Sequence, residues 1–230
     1  MARPLEDRRF LWLDDAVGVV DKPAMLLTTP APGRSEPVLL DRIAATLGDR
    51  GESPSVFAVH RIDEETSGSL AFARSEEARR GLEAIFKQHR AERVYHCLVH
   101  GAPRRSSAVL ECRLQEEGGI VRVVDRDGQV ARMEYRAVLR LDGMTMLACR
   151  LDTGRRNQIR VQLAAIGCPL VGDRKYGRRG KTSARRTMLH ATALGFDHPL
   201  SGARIEVIAP FPEDFERLIG AERLAALRLT

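Results

Sequence analysis

An α+β fold, a mixed and mostly antiparallel central sheet with flanking helices, is what this 230-residue sequence predicts, on three observations. Segments with helical spacing of apolar residues are scattered among strand-like runs instead of alternating with them one for one. Five strand-like runs follow one another between residues 93 and 152, separated only by short clusters of Gly, Asp or Ser. No internal repeat and no long Pro/Gly/Ser linker divides the chain, so a single domain over residues 1–230, with its core at about 10–210, is the simplest organisation.

Taken in order, "VGVVDKPAMLLTT" (17–29) has β-branched and aliphatic residues broken by Lys22-Pro23, which predicts strand, turn, strand. "PVLLDRIAATLG" (37–48) has helical spacing, with Gly48 as its stop. After the polar stretch "HRIDEETSG" (60–68), Ser75 is a good N-cap, Glu76 and Glu77 suit a positive helix start, and Leu82, Ile85 and Phe86 form one stripe, so a helix is expected over 76–90. "RVYHCLVHG", "AVLECRL", "GIVRVV", "ARMEYRAVLRL" and "MTMLACRLD" are the five strands. Residues 156–167 return to helical period and end at Gly167-Cys168-Pro169. "RTMLHATALGFDHPLSGARIEVIAP" reads as a hairpin around Pro199–Gly202, and "PEDFERLIG" as a short helix with Pro212 in its first turn.

Composition narrows the class. With 43% hydrophobic and 30% charged residues, and no stretch near the roughly 18 uninterrupted apolar residues of a membrane span, the chain reads as soluble. The N-terminus lacks the apolar segment and small-residue cleavage site of a secretory signal, so a cytoplasmic protein is expected. Four separated cysteines without a CxxC indicate neither a zinc site nor a disulfide framework. His96, Cys97 and His100 are close in sequence, but in a strand Cys97 points away from both histidines, so no metal site is expected there.

The charge is uneven. Net charge is +6, yet between Arg155 and Arg186 ten basic residues stand against one acid, Asp173. A block of one sign with interspersed Gly and Ser fits phosphate contact better than an ordinary solvated face, and nucleic acid becomes the expected partner. Nucleotide hydrolysis is unsupported: "GRRGKT" (177–182) lacks the glycine a phosphate loop needs at position 175, which is lysine. GxSxG, HExxH and GxGxxG are all missing from the sequence.

By spacing alone, Asp63 followed by Glu64, Glu65, Thr66, Ser67 and Gly68 is good turn material, with the aspartate capping its own backbone. A glycosidase pairing Asp63 with Glu64 or Glu65 is disfavoured, because such neighbours diverge where carboxyls about 5–9 Å apart and facing each other are needed.

The residues around Asp63 nevertheless resemble a family signature. His60-Arg61-Ile62-Asp63, then Thr66-Ser67-Gly68, is similar to the HR(L/I)DxxTSG pattern of the RluA-type pseudouridine synthases. "VDKP" (20–23), "LDTGRRNQIRVQLAAIGCPLVGDRKYG" (151–177) and "LHATALGFDHPLSG" (189–202) match in the same order, and the likeness runs from about residue 10 to about 210. It implies the pseudouridine synthase fold and the isomerisation of uridine to pseudouridine in structured ribosomal or transfer RNA, without a cofactor, by a chain acting as a monomer.

The resemblance also implies roles. Asp63 matches the essential aspartate, which attacks the anomeric carbon of ribose or removes a ribose proton to give a glycal. Arg160 matches the arginine that pairs with it, a planar fork suited to holding a carboxylate. Tyr95 matches the tyrosine against the uracil, Arg61 the residue that fills the gap left by an everted nucleotide, and Ile159 packs on the base. Arg155, Lys175 and Arg178, within the basic stretch that ends at Arg186, are expected to hold phosphates.

Asn157 and Gln162 stand where the family usually has histidine, and "KPAM" (22–25) where it has "KPSG". Asn and Gln hydrogen bond as a neutral histidine does but do not titrate, so retained activity is the expectation, and a fold kept only for binding RNA the alternative. About ten residues precede the first recognised strand, too few for a separate RNA-binding domain, so target choice is expected to rest on the catalytic domain.

Overall fold

The computed structural model describes residues 2–177 and 184–227. In chain order the elements are β1 (Phe10–Leu13), β2 (Val17–Lys22), α1 (Leu39–Asp49), β3 (Phe57–Ala58), β4 (Ser67–Ala73), α2 (Glu76–Lys87) and β5 (Glu92–His100). There follow β6 (Ser107–Glu117), β7 (Ile120–Val124), β8 (Gln129–Leu141), β9 (Met144–Leu151), α3 (Gln158–Ala165), β10 (Leu189–Asp197), β11 (Arg204–Ile208), α4 (Glu213–Ile219) and α5 (Ala221–Ala225). This is an α+β fold, and the chain divides into two compact units.

One unit is the chain up to Glu92 together with Ala191–Pro210. Its strands lie in the order β1, β2, β4, β10, β11, with β3 added to β4, and the pairs β1·β2, β2·β4, β3·β4 and β10·β11 are antiparallel. β4 is buried at every residue, because "SGSLAFA" offers only small or apolar side chains to both faces of a central strand. Gly68 cannot be replaced there: its φ is +109°, and a Cβ would lie 2.2 Å from the carbonyl oxygen of Ala191. Helix α2 starts where Ser75 Oγ accepts the Ala78 N–H (3.2 Å) and buries Leu82 and Ile85 against Val17, Val19, Ala71 and Phe196. Removing Leu82 from water contributes about 2 kcal/mol.

The other unit runs Arg93–His190 and resumes at Phe211. Its sheet order is β5, β9, β8, β6, β7, antiparallel throughout. Leu98, Met146 and Met188 pack with Phe215 and Ile219 of α4, while Val161 of α3 packs on Leu114, Val121 and Ala131 of the β6–β8 region.

Three local readings change. The second strand expected within 17–29 does not form: Met25 adopts a left-handed backbone (φ +60°), and the Lys22 ammonium binds the carbonyls of Pro23 and Leu26, groups a strand would need for its ladder. Helix α1 runs through Gly48 and stops at Gly51 (φ +74°), where Gly51 and Glu52 N–H groups close on the carbonyls of Gly48 and Leu47. Pro212 caps α4 and does not sit in its first turn. β1, β3 and α5 carry too little periodicity to be expected from sequence.

Candidate active site

Asp63 lies in a turn over-determined by its neighbours. The Ile62 carbonyl accepts the Thr28 hydroxyl (3.2 Å), the Asp63 carbonyl accepts the Thr66 N–H (3.1 Å), and the Glu64 carbonyl accepts Lys22 Nζ (3.1 Å) and the Leu26 N–H (3.3 Å). His60 Nε2 accepts the Ala71 N–H (2.9 Å) and its ring stacks on Phe86, which ties the segment to β4 and α2. Three consecutive carbonyls bound from different directions leave the backbone one conformation, so half-buried Asp63 leaves the chain at a fixed point. Arg61 is exposed, and the Glu64 carboxylate faces Arg34 (3.2 Å), in an exposed pair.

Lys22, a matched residue to which sequence reasoning gave no role, is the hub of this turn. It is 0% exposed, and its ammonium meets the carbonyls of Pro23 (2.9 Å), Leu26 (2.7 Å) and Glu64, the last 42 residues away in sequence. A buried ammonium is tolerated because carbonyl dipoles replace its hydration.

In the other unit, α3 presents Arg160 and Ile159, both buried. Its entry is held by Gln158, whose side-chain oxygen accepts from the Thr153 hydroxyl (2.8 Å) and the Arg155 N–H (3.0 Å) while its NH2 donates to the Arg132 carbonyl (3.1 Å). Asn157 precedes it in a left-handed conformation (φ +53°), one that asparagine tolerates better than most residues.

The fork of Arg160 is clamped. Nε and Nη2 donate to Asp173 Oδ2 (2.8 Å) and Oδ1 (2.9 Å), and Nη1 donates to Asn157 Oδ1 (3.2 Å). Asp173 also accepts the N–H groups of Lys175 and Tyr176 (2.9 Å each). Burial pushes its carboxyl up, but the Arg160 hydrogen bonds and charge and the two N–H groups bring it below the ordinary carboxylate value. Tyr176 completes the cage: its hydroxyl accepts from Asn157 Nδ2 and the Val121 N–H (3.0 Å each), and its ring lies 5.2 Å from the guanidinium carbon. The lone acid of the basic block is thus a partner of the arginine singled out by sequence, a role no charge count reveals. Gln162 donates to the carbonyls of Ala131 (3.0 Å) and Leu110 (3.2 Å), so its amide fastens α3 to the sheet.

Tyr95 is buried on β5, opposite Cys149 of β9. Much of the basic block is paired within the protein. Arg186 is buried and bidentate to Asp214 (2.6 and 2.9 Å), a structural cation where a phosphate contact was expected; Asp214 lies 28 residues on, outside the window that made the block look unpaired. Arg156 pairs with Glu116. Arg155 donates to the Val130 carbonyl (3.0 Å), and exposed Lys175 donates to the Gly119 carbonyl and lies 5.5 Å from the Tyr176 ring. Arg178 lies outside the described residues. No helix among the described residues is long and apolar enough to cross a membrane.

A family model described as RNA pseudouridylate synthase matches residues 16–165. The uncharacterized RNA pseudouridine synthase YlyB of Bacillus subtilis is 35% identical over 224 residues, covering 95% of this chain and 74% of the relative. Ribosomal large subunit pseudouridine synthase D of Zymomonas mobilis is 34% identical over 230 residues, covering 94% of this chain and 72% of the relative. The solved structure of human RNA pseudouridylate synthase domain containing 4 shares the fold, with a TM-score of 0.78 at 19% identity over 97% of this chain and 95% of that one.

Proposed function

Since the chain belongs to the RNA pseudouridylate synthase family, we propose that it isomerises uridines of structured ribosomal RNA or transfer RNA, with Asp63 acting at the ribose. The reaction breaks the bond between the anomeric carbon and uracil N1 and remakes it to carbon 5. It is redox-neutral, a proton leaves carbon 5 and one returns to N1, and no cofactor is required. The named large-subunit relatives favour ribosomal RNA over transfer RNA.

Asp63 serves either as nucleophile at the anomeric carbon or as base toward the ribose, and both need an ionised carboxylate shielded from water. Arg160 supplies the compensating charge. Asp173 and Asn157 hold the plane of its fork, and we assign that fork to the Asp63 carboxylate as the family resemblance implies. Tyr95 lies along the uracil and handles the carbon 5 proton, Ile159 packs on the ring, and Arg61 fills the place of the everted nucleotide. Arg155, Lys175 and Arg178 steer the phosphates. The protein works in the cytoplasm as a monomer.

The observation that carries this reading is the turn at residues 62–64, pinned at three successive carbonyls beneath a single aspartate. Preorganisation of that kind is what a reacting carboxylate requires and an ordinary surface turn does not. The test is pseudouridine mapping on total RNA incubated with wild-type enzyme or Asp63→Ala. Wild type should create new pseudouridines at discrete uridines and the variant none; product from both would remove Asp63 from the chemistry.

A further inference from the structure

Arg93 stands two residues before Tyr95 on β5, and the two-residue repeat of a strand puts both side chains on one face of the sheet, about 7 Å apart along it. It is 9% exposed, and its Nε and Nη2 are enclosed with no hydrogen-bond partner among the described residues. Arg160 and Arg186 are the other arginines buried to this degree among the described residues, and each grips a carboxylate through two hydrogen bonds. Arg93 grips none. A guanidinium does not shed its proton, so it cannot escape the penalty of a buried, uncompensated charge by titrating.

A second observation concerns Gly154, in the loop that leads to α3. Any side chain there would place a Cβ 2.5 Å from Arg93 Nη1, and Gly154 is itself exposed. The glycine leaves the tip of the arginine an open way to solvent, beside Arg155 in the same loop.

We infer that Arg93 is an anion-binding residue, held for a phosphodiester of the substrate RNA close to the uridine that meets Tyr95, and reached past Gly154. This rests on the reading of the chain as an RNA uridine isomerase. The phosphate supplies the two oxygens that match the fork of a guanidinium, and rotation of the arginine tip past Gly154 exchanges an unsatisfied enclosure for a charge-assisted pair. Tyr95 against the base and Arg93 against the backbone lie about one nucleotide apart.

The experiment compares wild type, Arg93→Met and Gly154→Ala. Arg93→Met should raise the Tm of the free protein by about 2–4 °C, because an apolar chain of similar length replaces an unpaired charge. It should weaken binding of a single-stranded uridine-containing transcript about tenfold, and flatten the dependence of log Kd on log salt by about 0.7, the share of one phosphate. KM should rise more than kcat falls. Gly154→Ala should weaken binding in the same direction while keeping the arginine, and it carries the test should Arg93→Met not fold. Inorganic phosphate should raise the Tm of wild type more than that of Arg93→Met, an arm that decides the anion site even if wild type converts no uridine and the proposed reaction fails. Unchanged affinity, salt slope and phosphate protection in Arg93→Met, or a lowered Tm with an unchanged slope, overturns the inference.

Discussion

Replacing Asp173 by asparagine keeps the shape of the side chain and removes the charge that faces Arg160. Asp173 is 4% exposed and Arg160 9%, so neither group falls back on water. Oδ1 of Asp173 accepts Arg160 Nη2, Lys175 N–H and Tyr176 N–H, whereas among the described residues Oδ2 accepts only Arg160 Nε. The asparagine oxygen therefore keeps the Oδ1 site with its three donors, and the NH2 group is left opposing Nε of the arginine, donor against donor. One charged hydrogen bond is lost, about 1.5–3 kcal/mol, and the guanidinium loses its countercharge, for a total of about 3–5 kcal/mol. The carboxyl is held below its unfolded value of 3.8, so its contribution is complete above that pH and vanishes only as pH falls through the lower folded value. Urea denaturation at pH 7 therefore reads all of it. Arg160→Met and the double variant complete a cycle in which the two changes should be strongly non-additive, the double variant being more stable than the sum predicts. Asp173→Asn within about 1 kcal/mol of wild type, or additive single changes, would refute the clamp.

Two further outcomes follow from the same structure. Burial, and then the charge of Arg136, lower the His96 pKa from 6.5 to about 4, so between these values the unfolded chain binds a proton the folded chain refuses and stability drops as pH falls. The loss should be about 1.5 kcal/mol from pH 6.5 to 5 by denaturant titration, and a pH slope that His96→Gln leaves unchanged would exclude His96 as its source. Met25→Gly should stabilise the protein by about 0.5–1 kcal/mol, because a left-handed residue 59% exposed forfeits little burial and sheds its backbone strain; a lower Tm in the variant would show that the Met25 side chain matters more than its φ.

Met25 is also a departure from the family pattern. The sequence at 22–25 has methionine where the related pattern has glycine, and the backbone there still takes the conformation glycine favours. Lys22 holds the surrounding carbonyls, so the turn forms here with methionine at that position. Asn157 and Gln162 divide differently: the first lies against Arg160 and Tyr176, the second only fastens a helix to a sheet.

Periodicity and caps in the chain by themselves determined α2, the antiparallel run β5–β9, the β10–β11 hairpin and the end of α3 at Gly167, because each depends on residues within a turn or two of one another. The short pattern around Asp63 likewise singled out that aspartate, since its signature is contiguous. Tertiary structure alone decided which charges are compensated. Arg160 finds Asp173 and Arg186 finds Asp214, Lys22 reaches Glu64 across 42 residues, and Arg93 finds no carboxylate among the described residues. The physical reason is that the energy of a charge is set by its desolvation and by the few ångströms around it, and a linear window contains neither.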